Sequence, residues 1–327
     1  MAHEIDFSNN RANMAFTGSR QAVWHGLGQE LQEDTSIEDW KTAAGLDWEV
    51  IPADVQYVIP AAQSFLPPDV KTMPNRKVLY RSDTSEALSV VSGDFKIVQP
   101  GEVVDFFRDL TAQNNMKLST AGSLFGGRRF WALAELGKDF EVTSGDTVSG
   151  YLLLTTAVDG SLQTTAKFVS TRVVCQNTLN ISLSEANKNL IRVSHRSQWD
   201  ADQVKLDLGV MDAAWIDFMS NIRKLANTPT SDATARTFFA DMLRNPDQKE
   251  LTKVQEKKAE NLFHLYKNGV GADMSGDSYW GILNAVTEAY THGTGRRAAD
   301  HQFWDNYYGA QSSIKDRAYF KALEAVA

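Results

Sequence analysis

The chain has 327 residues, 43% hydrophobic and 23% charged, enough for one large domain or two ordinary ones around a sizeable core. That composition excludes a disordered chain, and no apolar run reaches the ~18–20 residues of a membrane span. A net charge of −8 and a single cysteine exclude a globally basic polyanion binder, an internal disulfide framework and any site built from several thiolates.

Residues 1–34 read as an N-terminal arm, polar and Asn-rich, with one packed aromatic in Trp24-His25-Gly26-Leu27-Gly28. The arm has no apolar signal segment, so the expected compartment is the cytoplasm of the cell that makes the protein. A second unit, 35–198, opens with Thr35-Ser36 as a hydroxyl cap before Ile37-Glu38-Asp39-Trp40, which predicts a short helix ending at Gly45. Leu46 to Val50 alternates apolar and acidic as a strand does, and Val55 to Ile59 continues as strand. Pro60 to Pro74, with Pro67-Pro68 inside it, reads as a loop or an insertion. Val78–Arg81, Leu88–Val91 and Phe95–Val98 read as strands, and Pro100 opens a helix with Val103, Phe106, Phe107 and Leu110 on one face.

The clearest pattern lies between Leu118 and Ala186. Phe130, Ala132, Ala134 and Leu136 share one strand face; Lys138 to Asp146 is a polar connection containing the turn Ser144-Gly145-Asp146. Val148 to Thr156 is a central strand, and Asp159-Gly160 predicts the tightest hairpin. The return strand puts Leu162, Thr164, Ala166 and Phe168 on one face and Gln163, Thr165 and Lys167 on the other. Thr171 to Val174 then leads into a helix through Leu183. The expected fold is α+β, an antiparallel sheet with a βββα core. An all-helical C-terminal region, 199–327, follows, with helices over 203–226, 231–245, 247–268, 278–291 and 300–325.

No catalytic centre emerges. Cys175 with His195 and Asn177 makes a thiol-protease set on paper, but a cysteine inside Val173-Val174-Cys175 reads as a small buried hydrophobe and an unreactive thiol. Glu288 and His292 stand four apart as a helix-surface pair without further metal ligands, and Asp273 and Asp277 lack the alternation of a calcium loop. Gly126-Gly127-Arg128-Arg129 and Gly293-Thr294-Gly295-Arg296-Arg297 suit either phosphate capture or a tight turn with solvated arginines; neither is a Walker loop. The expectation is a non-enzyme without cofactor, metal or nucleotide. From Gly160 to Gln198, Lys167, Arg172, Lys188, Arg192 and Arg196 oppose the single acid Glu185, a local reversal of the chain's sign. The aromatics Trp131, Tyr151, Phe168 and Trp199 lie close enough in sequence to stack bases or simply to fill the core.

Several segments resemble the phage/plasmid-like protein family of unknown function (UPF0380-like): Trp24 to Gly28, Gly45-Leu46-Asp47-Trp48, Ala121 to Leu124 with Gly126 to Arg129, Tyr151 to Leu154 and Asp159-Gly160-Ser161. Arg172-Val173-Val174-Cys175-Gln176-Asn177-Thr178-Leu179 is the most specific, and Tyr279-Trp280 with Asn284 to Glu288 extends the likeness almost end to end. Thr156-Ala157-Val158 departs from the Ser-His that the family tends to carry before Asp-Gly, so a role for that histidine is absent here. The strand order is also similar to the core of single-strand annealing proteins, a likeness at fold level only. Together these imply a phage or plasmid DNA-metabolism protein in a bacterial host. It would bind single-stranded DNA as a homo-oligomer, with annealing in recombination as the activity implied. Arg128, Arg129, Lys167, Arg172, Lys188, Arg192 and Arg196 are the expected backbone contacts. The alternative is an anti-defence or host-takeover factor whose acidic surface meets a host protein and binds no nucleic acid.

Overall fold

A computed structural model describes residues 4–8, 10–18, 27–60, 67–113, 116–172, 174, 177–180, 190–209, 212–245, 247–292 and 304–327. Trp24, Cys175, Lys188 and the Gly293–Arg297 segment lie outside the described residues, so the readings placed on them are not addressed below.

The chain is α+β. Strands β1 (Met14–Thr17), β2 (Gln29–Leu31), β6 (Lys117–Leu124), β7 (Arg129–Thr143), β8 (Asp146–Ala157), β9 (Thr164–Arg172) and β10 (Asn177–Asn180) form one mostly antiparallel sheet in the order β10-β9-β8-β7-β6-β1-β2. A further strand, β11 (Leu190–Val193), shares the outer edge of β9 with β10: β11 pairs Thr164 to Lys167 and β10 pairs Val169 to Arg172. A second sheet holds β3 (Val50–Ile59), β4 (Asp69–Arg81) and β5 (Ala87–Ser92). The helices are α1 (Ile37–Ala43), α2 (Pro100–Asp105), α3 (Arg108–Gln113), α4 (Ala201–Gly209), α5 (Asp212–Asn227), α6 (Asp232–Leu243), α7 (Lys253–Asn268), α8 (Ala272–Ser275), α9 (Tyr279–His292) and α10 (Ala310–Ala325). None of the described helices is long and apolar enough to cross a membrane.

Side-chain alternation divides the large sheet as expected. Phe130, Ala132, Ala134, Leu152, Leu154, Ala166 and Phe168 face the main core, together with Val103, Phe106 and Phe107 and the aromatics of α5, α6 and α9. Trp131, Leu133, Leu153 and Val169 face the other way, into a smaller cluster closed by Ile5, Phe16 and Tyr307. Ser36 caps α1, its Oγ accepting from Asp39 N at 3.1 Å. Trp40 on that helix is buried.

Within the stretch expected to be an irregular arm, Met14–Thr17 and Gln29–Leu31 are strands. β1 pairs with β6, and Ile5 bridges Leu124, because Met14, Phe16 and Ile5 are apolar at the spacing that fills the smaller cluster. Arg81 locks this arrangement from β4. Fully buried, it donates to Asp6 Oδ2 at 2.6 Å and to both Asp83 carboxylate oxygens at 2.9 and 2.7 Å, and it lies 4.0 Å over Trp48. Burial alone would raise the Asp6 carboxyl, but hydrogen bonds from Ser8, Arg81 and Asn13 hold it below the usual range.

Other corrections are local. The strand expected at Leu46 starts only at Val50, since Leu46 and Trp48 turn inward to the core. Asp69 to Thr72 is strand, templated by β3 through Gln56↔Thr72 to Ile59↔Asp69; Pro74 sits in the register shift, where no ladder N–H is required. Phe95 to Val98 is irregular: Phe95 stacks on His195 at 4.4 Å and Lys96 N bonds His195 O. The strand β7 runs through the expected polar connection to Thr143, so the tightest hairpin is Ser144-Gly145, with Thr143 paired to Asp146 and Gly145 at φ 78°. Asp159-Gly160 lies in a longer link between β8 and β9. Asn177–Asn180 is a strand on β9 where a helix through Leu183 was expected, because the open edge of β9 accepts its ladder. Across the helix expected over 203–226, Ala201–Gly209 and Asp212–Asn227 are helical, and α7 begins at Lys253 behind the cap Thr252.

Candidate nucleic-acid interface

The seven cationic residues singled out by the sequence do not form one surface. Lys188 lies outside the described residues, and the structure divides the other six into two buried, one partly buried and three exposed.

Arg172 is buried, with 2% of its side chain exposed. Its guanidinium grips Asp146 with two hydrogen bonds, Nε to Oδ1 at 2.6 Å and Nη2 to Oδ2 at 2.7 Å, and Nη2 also donates to Gly271 O at 2.8 Å. Trp280 Nε1 donates to the same Asp146 Oδ2 at 2.8 Å. The expectation that Arg172 holds phosphate is therefore corrected: it clamps β9 and β8 to the α8–α9 region. Nearby, burial raises the Glu288 carboxyl, against the lowering pull of the Val270 amide, His292 and Arg172. The Glu288–His292 spacing thus serves packing around this clamp. Lys167 is corrected likewise. It is 3% exposed, donates to the Tyr307 carbonyl and lies 3.9 Å from the Tyr308 ring centre.

Arg129 is intermediate. Its guanidinium is sandwiched between Trp304 at 3.9 Å and Phe125 at 4.3 Å. Asp159 Oδ2 is 3.6 Å from Nε, beyond hydrogen-bond distance, and that buried Nε has no hydrogen-bond partner among the described residues. Burial depresses this guanidinium and the Asp159 charge opposes the effect. Arg128, Arg192 and Arg196 are exposed.

These four converge at one end of the sheet. Residues paired across antiparallel strands share a face. The row Trp131↔Thr155↔Thr165↔Arg192 therefore places Arg192 on the face that carries Arg129, two residues before Trp131. Three strand spacings and two residues separate the two arginines by about 15 Å along the sheet. Arg128 closes the same end, its carbonyl accepting from Val158 N at 2.9 Å. His195 bridges Lys96 O at 3.0 Å and Leu162 O at 3.1 Å, which brings the exposed Lys96 and the Arg196 segment to the β8–β9 link. Over the middle of the face, residues 304–308 supply Trp304, Tyr307 and Tyr308, and the Tyr308 hydroxyl donates to Thr155 Oγ1 at 2.8 Å. Burial raises both tyrosine hydroxyls. Lys96, Arg128, Arg192 and Arg196 are thus exposed cations near one end of the sheet, and the strand register puts Arg192 on the face of Arg129. Lys96 was missed from sequence because it stands in an acidic stretch and only the His195 backbone pairing carries it here.

A family model described as a domain of unknown function (DUF932) matches residues 87–308, about two thirds of the chain. No curated protein and no solved structure matches it.

Proposed function

The chain belongs to the DUF932 family, whose function is unknown, and from that premise we propose that it is a phage or plasmid DNA-metabolism protein that binds single-stranded DNA. The observation that carries the reading is the convergence of exposed Arg128, Arg192, Arg196 and Lys96 at one end of the large sheet of a net-acidic chain. Such a group tracks phosphates by charge, without reading sequence. Arg129, its guanidinium 3.9 Å from the Trp304 ring centre and 4.3 Å from that of Phe125, adds a half-buried cation on the face that carries Arg192. Aromatic surfaces beside a cationic track suit unpaired bases. The role is binding rather than catalysis, performed as a homo-oligomer in the cytoplasm of a bacterial host, with strand annealing as its use. Fluorescence anisotropy of labelled single-stranded and duplex oligonucleotides at low salt tests the proposal. Tighter binding of the single strand is expected. No binding of either, or equal binding of both, overturns it.

The alternative, a protein-interaction factor, is favoured by a different observation. The ribbon formed by β3 and β4 carries Tyr57, Val58, Ile59, Val70 and Met73 exposed by 42–60%. Exposed apolar side chains grouped on one element mark contact surfaces more often than solvent-facing ones.

A further inference from the structure

The β3–β4 ribbon is unlike the rest of the molecule. From Gln56 to Ile59 and from Asp69 to Arg76 every residue is exposed, so both faces of the ribbon meet solvent. Six residues of β3 beyond its buried root give it a reach of about 20 Å. A free two-stranded ribbon is marginally stable in water, and this one is apolar along much of its length. It is also cationic on balance: Lys71, Arg76 and Lys77 against Asp54 and Asp69, with Lys77 bonded to Asp54 at 2.5 Å and Lys71 to Asp69 at 2.7 Å. Arg76 stands exposed beside them.

Elsewhere, the α2 helix and the start of α4 enclose an open groove of about 580 Å3. Phe106 and Trp199 line it with apolar surface, and Glu102, Asp105, Asp200 and Asp202 give it four carboxylates. Lys41 and Arg108 answer the Asp105 charge, at 2.8 and 2.6 Å, whereas the Asp202 side chain is 89% exposed and meets Lys205 at 3.5 Å. Leu206, one turn along α4, is 69% exposed and extends the apolar surface beyond the rim.

We propose that the β3–β4 ribbon of one copy docks in the acidic, aromatic groove between α2 and α4 of a second copy. Both halves of the match, apolar with positive charge and apolar with negative charge, are present in one chain. A ribbon that is solvent-exposed in its own molecule reaches such a groove in another. The contact is heterologous, ribbon to groove, so a docked pair retains one free ribbon, on one copy, and one free groove, on the other, for the next. Docking buries the apolar ribbon side chains and gives the ribbon the support that two strands alone lack. This inference does not rest on nucleic-acid binding, and its test contains no nucleic acid.

The test is a charge swap read by light scattering at micromolar protein and low salt. Wild-type protein is expected at a multiple of 36.3 kDa. The ribbon variant Lys71→Glu/Arg76→Glu and the groove variant Gln198→Lys/Asp202→Lys are each expected at the monomer mass. All four positions are exposed. An unchanged circular dichroism spectrum and melting temperature establish that both variants fold. Mixed in equal amounts, the two variants are expected to associate again, because each ribbon then meets a groove of opposite sign. Wild type at 36.3 kDa throughout, either variant as large as wild type, or a mixture that remains monomeric would each overturn the proposal. Association unaffected by either variant would point instead to pairing through other edges or faces.

Discussion

Replacing Arg172 should unfold the protein rather than weaken a binding surface. Arg172→Met keeps the aliphatic stem and removes the guanidinium, leaving Asp146 with no exposed surface and only the Trp280 N–H of the bonds described above. A buried carboxylate deprived of its partner costs about 3–5 kcal/mol. The Gly271 carbonyl also loses a donor at 2.8 Å. Against a total of roughly 5–15 kcal/mol for a folded domain, that loss is large. Urea unfolding of Arg172→Met, Asp146→Asn and the double variant forms a mutant cycle. The double variant should be less destabilised than the sum of the singles, since removing both charges leaves neither uncompensated. A single Arg172→Met that retains its stability within about 1 kcal/mol, or a strictly additive cycle, would refute the clamp and return Arg172 to the list of surface contacts.

Three further outcomes follow from the same reasoning. Lys315 is buried, and desolvation pushes its amine down to about 7 against an ordinary 10.5, with Asp316 pulling the other way. Between those values the unfolded chain holds the proton more firmly, so this residue makes stability rise with pH from about 7 upward, by at most ~5 kcal/mol; Lys315→Met should flatten that rise in chemical denaturation from pH 6 to 10. Gly122→Ala should lower the melting temperature, because its methyl group would meet Trp131 Cη2 at 2.5 Å and the Asn13 carbonyl at 2.6 Å; a cost of about 1–3 kcal/mol is expected. Arg81→Met should detach the N-terminal segment, seen as faster amide exchange around Asp6 to Asn13, since Asp6 would lose the guanidinium that pairs with it at 2.6 Å.

Much of the architecture was legible where periodicity was strong. Phe130, Ala132 and Ala134, and Ala166 with Phe168, lie on the faces that alternation assigned to them. Val103, Phe106, Phe107 and Leu110 are buried as expected, but the single helix expected there is two, α2 and α3, with Phe106 and Phe107 in the turn between them. The expectations that failed depended on partners distant in sequence. Asn177–Asn180 is a strand only because β9 offers an open edge, and Asp69–Thr72 only because β3 runs beside it. The candidate site shows the same limit more sharply. A run of cations reads identically whether its members face water or acids, and nothing local distinguishes Arg192, exposed on β11, from Arg172, which meets Asp146 across 26 residues. The acid that neutralises each buried cation, Asp146 for Arg172 and Asp6 for Arg81, is a contact of tertiary structure.

The central claim is that the three exposed arginines at the sheet end hold single-stranded DNA. Its most direct test is the salt dependence of single-strand binding for wild type and for Arg128→Glu/Arg192→Glu/Arg196→Glu. Four phosphate contacts, Lys96 included, predict a slope of log K against log salt of about −3 for wild type, from ~0.7 counterions released per contact. The variant should keep the wild-type melting temperature, because all three side chains are exposed, while its binding falls and its slope drops to about −0.7, the share of Lys96. Wild type that fails to bind at low salt, or a triple variant that binds with the same slope, would contradict the account.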